Sequence, residues 1–217
     1  MKSYAVDISK SASAATIVFE ALRQAIIDGE LEDGMPLRQD EIAKTFNTSR
    51  IPVREAITML EVQGFVSTQR FKGAVVAGLS RSDASEIFEF RALVEGAVIE
   101  RAVSDISPEA LARARGFFEA FSTSTDPMEW GDLNREFHYE LYNASELKYH
   151  LKIINNSLDR VDRYLRAQIT MTDGKARANE EHAAILEACE KGQASLASDL
   201  TKAHILGARD TLLEVLK

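Results

Sequence analysis

Apolar residues recur every three or four positions at Ile17, Ala21, Leu22, Ala25 and Ile26, a spacing that predicts an amphipathic helix over 14–28 with Gly29 as its stop. The turn-rich stretch 29–36 separates it from a short predicted helix over 39–46, which presents Ile42, Ala43 and Phe46 and is broken by Asn47-Thr48-Ser49. A third helix follows at once. Pro52 fits its first turn, where a missing N–H costs nothing, and Val53, Ala56, Ile57 and Leu60 form its apolar stripe up to Gln63-Gly64. The period then changes to two, so 65–68 and 74–77 read as strands around the turn 69–73. Beyond Gly78 that period disappears. Helices are predicted over 82–103, from Ser107-Pro108-Glu109 through Phe121, and over about 127–143, 146–170, 176–191 and 194–216. The pattern predicts a mainly α chain in three parts: a loose arm over 1–13, three helices and a hairpin over 14–78, and an antiparallel all-α bundle of six to seven helices over 79–217.

Composition narrows the class. With 45% hydrophobic and 28% charged residues the chain reads as globular rather than disordered. No apolar run reaches the roughly 20 residues of a spanning helix, and the start lacks a secretory apolar stretch, so a cytoplasmic protein without membrane contact is expected. The single thiol, Cys189, can form neither an internal disulfide nor a thiolate metal cluster, which leaves histidine and oxygen as metal ligands. The net charge of −8 excludes a uniformly basic surface. It hides a local one: between positions 44 and 72, Lys44, Arg50, Arg54, Arg70 and Lys72 face only Glu55 and Glu61.

These cations fall where a DNA reader needs them. A three-turn helix behind a short helix and a tight turn has the dimensions to enter a major groove, with its N-terminal residues nearest the base edges. Arg50 and Arg54 occupy that end, four residues apart on one side and displaced from the apolar stripe. Their guanidinium forks suit guanine or phosphate, whereas an ion pair of Arg54 with Glu55 or Glu61 is the alternative reading. Arg70 and Lys72 at the hairpin tip would flank the groove. The run LRQDEIAKTFNTSRIPVREAITMLEVQGFV, followed by FKGAVV, resembles the winged helix-turn-helix of the GntR family of bacterial transcription regulators. The resemblance implies a DNA-binding domain over 14–78, with Ser49, Arg50, Arg54, Arg70, Lys72 and the wing glycine Gly73 at its DNA surface. Asp40 stands where some relatives carry a DNA-contacting Arg, which implies a different operator sequence.

Three of the four histidines lie on apolar stripes. His138 follows Asn134 by one turn beside Phe137 and Leu141, His182 shares a face with Ile185 and Cys189, and His204 shares one with Leu200. His182 precedes Gly192 by ten residues and His204 follows it by twelve, which places them roughly 15 and 18 Å from the turn on antiparallel helices, nearly level. Three imidazoles, an oxygen and open positions suit Zn²⁺, Ni²⁺ or Mn²⁺ better than Ca²⁺ or Mg²⁺, with zinc expected first. Hydrogen-bonded core histidines are the alternative. The segments FHYELYNAS, EEHAAILEACEKG and KAHI resemble the ligand-binding FCD domain of the FadR-type branch of the same family. That resemblance implies a metal site of Asn134, His138, His182 and His204, and a small organic-acid or sugar-acid effector gripped by Arg91, whose competing partner is Glu95. Arg163 and Arg166 are weaker effector candidates, while Cys189 and Trp130 read as packing residues and His150 as a surface one. The implied function is a ligand-responsive regulator that binds a palindromic double-stranded operator as a homodimer. A metal-dependent hydrolase is the other reading of three histidines, although no HExxH-like pairing accompanies them.

Overall fold

The first helix, α1 (Ala14–Ile27), begins where the Ser13 hydroxyl accepts the Thr16 N–H at 3.1 Å, a serine N-cap. A computed structural model describes residues 13–171 and 174–216, without the side chains of 127, 128, 163 and 166–171. The arm expected over 1–13 therefore lies outside the described residues except for Ser13, and the side chains of Arg163 and Arg166 lie outside them too. The chain divides into two compact units, Met1–Gly78 and Leu79–Lys217.

In the first unit α2 (Gln39–Thr45) and α3 (Arg50–Val62) are joined by a turn that the sequence encodes in Asn47. Asn47 adopts φ +46°, its N–H bonds Lys44 O, and the Thr48 N–H bonds Ala43 O, which closes α2 in a left-handed cap and lets α3 restart within a few residues. Val53, Ala56, Ile57 and Leu60 are all buried against Val18, Phe19, Leu22 and Ile26 of α1. α3 ends in the same way, with Gly64 at φ +78° and the Phe65 N–H on Leu60 O. Phe65 is thus consumed by the helix cap. Strand β1 is consequently Val66–Gln69, one residue later than the alternation predicts, and β2 is Gly73–Val76, one residue earlier, because Gln69 pairs with Gly73 at the turn. An isolated bridge, Pro36 with Val75, joins the hairpin and is absent from the sequence reading. One bridge leaves no alternation to detect.

The second unit contains α4 (Arg81–Ala102), α5 (Pro108–Thr123), α6 (Pro127–Tyr142), α7 (Lys148–Met171), α8 (Gly174–Glu190) and α9 (Ala194–Val215), with no strand among the described residues. Serine N-caps open α4 and α5, where Ser80 accepts the Asp83 N–H and Ser107 the Ala110 N–H. α7 starts later than expected because Asn143–Ser145 coil into a 3-10 turn and Glu146 takes φ +56°. α8 starts earlier, at Gly174, since a glycine at a helix end loses less than one in the interior. Val98, Ile99, Phe137, Leu141, Ile185 and Leu186 share one core, and Ala84, Phe88, Val161, Ile205 and Leu212 another. Polar groups are buried as well: Arg91 and Glu95 on α4, His138 on α6, His182 on α8, and Ser198 and Thr201 on α9. No helix among the described residues is long and apolar enough to cross a membrane.

Candidate metal centre and DNA-reading helix

The bundle brings together the three histidines that the stripes place on α6, α8 and α9. One potential ligand atom each from His138, His182 and His204 lie within 4.8 Å of one another, and the ring centroids are 4.8 to 5.3 Å apart. His182 is fully enclosed, and neither of its ring nitrogens has a hydrogen-bond partner among the described residues. Two orphaned buried nitrogens are costly in a helical core and become useful when one of them binds an ion. At metal–nitrogen distances of about 2.0–2.1 Å the three ligand atoms would close to roughly 3–3.5 Å, a shift that side-chain rotation supplies. The donor set fits a borderline transition metal.

Electrostatics favour ligand-competent rings. Burial, then the neighbouring His182 and His204, then Arg91 hold His138 well below the ordinary imidazole range; burial and His204 do the same to His182. Both rings are therefore neutral near pH 7 and able to donate a lone pair. A histidine pKa depressed by folding means that the unfolded chain takes up protons first, so this contribution to stability is present above about pH 6.5 and is lost as the pH falls below it. The metal-free protein is expected to melt earlier at pH 5.5 than at pH 7.5, and a His138→Gln, His182→Gln double variant to lose most of that difference; equal slopes in thermal melts would contradict the assignment.

A cavity of about 50 Å³, enough for a few water-sized groups, opens beside the histidines. His204, Asn134 and Arg91 line it together with Trp130, Arg177 and Ile205. Asn134 thus meets the space next to the cluster, one turn before His138. Arg91 meets the Glu95 alternative directly, its Nε donating to Glu95 Oε1 at 2.7 Å in a pair almost wholly buried, and the residue also borders the cavity. Trp130 is a cavity wall rather than simple packing; its Nε1 donates to Ser124 O, and the Lys175 ammonium lies 4.8 Å from its ring centre. Arg177, Glu181 and Tyr142 were not singled out by sequence. Arg177 bonds Thr211 Oγ1 at 2.6 Å and faces Glu181 at 3.4 Å. An arginine four residues before a carboxylate looks like an ordinary helix-surface pair until the bundle turns it inward. Cys189 is buried, its thiol pushed up to about 12 chiefly by burial, and His150 is exposed.

In the first unit Ser49 is the residue before α3, and Arg50 and Arg54 are exposed at its N-terminal end while the Val53 stripe is buried. Arg54 has no ion-pair partner among the described residues; Glu61 instead accepts from Thr68. Arg50 is held by Asp40 at 3.2 Å, with both side chains about two-thirds exposed. Arg70 stacks its guanidinium 4.8 Å from the Phe71 ring centre at the hairpin tip, Lys72 is exposed beside it, and Gly73 takes φ +73°. Phe71 itself is 93% exposed at φ +68°, an apolar side chain presented to solvent that the sequence reading passes over. With Arg50 at a DNA surface, Asp40 would compete with DNA for it and repel phosphate. Asp40→Asn is expected to tighten duplex binding about three- to tenfold at low salt, with the gain shrinking as salt rises; weaker binding in anisotropy titrations would place Asp40 outside the interface.

Residues 14–76 match the family described as bacterial regulatory proteins, gntR family, and residues 86–207, more than half of the chain, match the FCD domain. The chain belongs to the GntR family, with an FCD domain. The gluconate operon transcriptional repressor of Bacillus subtilis is 33% identical over 152 residues, which span 69% of this chain and 62% of the repressor, less than two thirds of its length. The Nta operon transcriptional regulator of Aminobacter aminovorans is 26% identical over 85% of this chain and 87% of its own. Among solved structures, a GntR family member from Pseudomonas syringae pv. tomato is 30% identical with a TM-score of 0.56, covering 93% of this chain and 85% of that one. E. coli McbR/YncC, at 19% identity, shares the fold with a TM-score of 0.76 over 94% and 99%. The gntR family and the named Bacillus subtilis, Aminobacter aminovorans and Pseudomonas syringae relatives are described as regulators, and none of them as a hydrolase.

Proposed function

We propose that this GntR-family protein is a ligand-responsive transcription regulator whose 14–78 domain binds a palindromic operator and whose 79–217 domain dimerises, binds a divalent transition metal and senses a small carboxylate. The single observation that carries the reading is the shared cavity: a metal-competent histidine, Asn134 and the cations Arg91 and Arg177 border one space that also has apolar walls. Such a lining suits a compact acid with a short carbon body. The residues that would hold the metal are His138, His182, His204 and Asn134, with zinc the first choice and nickel or manganese the alternatives. When bound, the metal would supply a fixed positive charge and an open position for the acid's oxygen.

On the DNA side Arg50 and Arg54 read the major groove, while Ser49, Arg70, Lys72 and the Gly73 wing position the domain on the backbone. A small reader of this kind gains limited affinity alone, so two copies on a two-fold operator are the expected working unit in the cytoplasm. The effector acts through unequal affinity for DNA-competent and incompetent arrangements. A panel of organic and sugar acids, screened by thermal shift with and without added Zn²⁺, tests the sensing half directly. A stabilising acid whose effect requires the metal supports it; a metal-loaded protein indifferent to every acid would refute the carboxylate class.

A further inference from the structure

Hydrogen-bond accounting around the histidines leads beyond the ligand set. The Tyr142 hydroxyl lies 3.0 Å from Glu95 Oε2 and 3.2 Å from His138 Nδ1, inside the bundle. A phenol has one hydrogen to give. Glu95 is gripped by Arg91 at 2.7 Å and, as a carboxylate, can only accept. The phenol hydrogen therefore goes to Glu95, and the contact with His138 must be donated by the ring, which puts the proton on Nδ1. The same logic applies across the site. His204 Nδ1 is 2.7 Å from Glu181 Oε2, an acceptor, so that ring also carries its hydrogen on Nδ1. Arg177 Nε lies 3.4 Å from the other Glu181 oxygen, Oε1.

We propose that Tyr142 and Glu181 are positioning residues of the metal centre, which fix His138 and His204 as Nδ1–H tautomers and so reserve their Nε2 lone pairs for the ion. Each is backed by an arginine: Arg91 through Glu95 for the first, Arg177 directly for the second. His182 is the internal contrast. Among the described residues nothing bonds either of its nitrogens, so none of them sets its tautomer. The design leaves one adaptable ligand between two fixed ones, and fixed rings spare the site the cost of selecting a tautomer when metal arrives.

This inference rests on the proposed metal site, and its test separates the two. Long-range ¹⁵N–¹H correlation spectra of the metal-free protein at pH 8 report which nitrogen of each ring bears hydrogen. His138 and His204 are expected as Nδ1–H forms; Tyr142→Phe is expected to release His138 alone, and Glu181→Ala, at a partly exposed position, His204 alone. Zinc affinity, from competition with a chelator, should fall about 10- to 100-fold in each variant. Unchanged tautomers with wild-type zinc affinity in both variants would overturn the proposal while leaving the metal site standing. A wild-type protein that shows the expected tautomers but takes up no zinc would instead overturn the metal site and, with it, the purpose assigned to the two residues. Should Tyr142→Phe fail to fold, Glu181→Ala decides alone.

Discussion

His182→Ala is expected to abolish stoichiometric metal binding and to leave the metal-free protein folded. The ring is fully enclosed, packed 4.6 Å from the Phe137 ring centre and 5.2 Å from that of Phe121, so its removal opens a cavity that ordinarily costs about 2–5 kcal/mol. Part of that loss is offset in the metal-free state. Both ring nitrogens are buried without partners among the described residues, and an unsatisfied buried polar atom costs about 1–3 kcal/mol. What the variant forfeits is the ion's own contribution, which reaches about 4 kcal/mol when the metal stands at a thousand times its dissociation constant. The wild-type melting temperature should therefore rise on adding Zn²⁺ and the variant's should not. Metal analysis of protein purified without a histidine tag gives the stoichiometry, and a full equivalent retained in His182→Ala would show that the ligands lie elsewhere.

The double variant Arg50→Ala, Arg54→Ala is expected to lose specific operator binding almost completely. Each base-reading arginine is worth about 1–3 kcal/mol, or about 5- to 150-fold in affinity, and the two act on one helix end. The single variants should not be equal. Arg54 is free of ion pairs among the described residues, whereas Arg50 must leave Asp40 before it reaches DNA, so Arg54→Ala should cost more. Titrations at several salt concentrations separate base reading from phosphate contact. A residue that reads bases changes sequence preference, while one that holds phosphate weakens all duplexes alike and flattens the salt dependence. Unchanged operator affinity in both single variants would remove α3 from the interface.

Much of this was legible in the chain because the signals are local and periodic. The Val53, Ala56, Ile57, Leu60 stripe, the Asn47 break and the Ser107-Pro108-Glu109 start each act within a turn or two, and signals of this kind place the described helices to within a few residues. Strand ends shifted by one because Phe65 serves α3 as well as β1, a contest that alternation does not reveal. The level of His182 and His204 follows from counting residues to a glycine turn, since helical rise is constant. The second layer was hidden for the opposite reason. Tyr142, Glu181 and Arg177 acquire their meaning only through helices that meet from distant parts of the sequence, and Arg91 could not be divided between Glu95 and the cavity without seeing that it touches both.

The central proposal is that occupancy of the pocket bordered by His204, beside the other two histidines, governs the grip of the DNA-binding domain. Its most direct test takes a duplex selected from random sequence by the purified protein and an acid identified by thermal shift, then measures duplex affinity by anisotropy with and without that acid for wild type and His182→Ala. The account predicts a change of at least about fivefold in the wild type, in either direction, and none in the variant. An equal shift in both proteins, or no shift in the wild type, would contradict it.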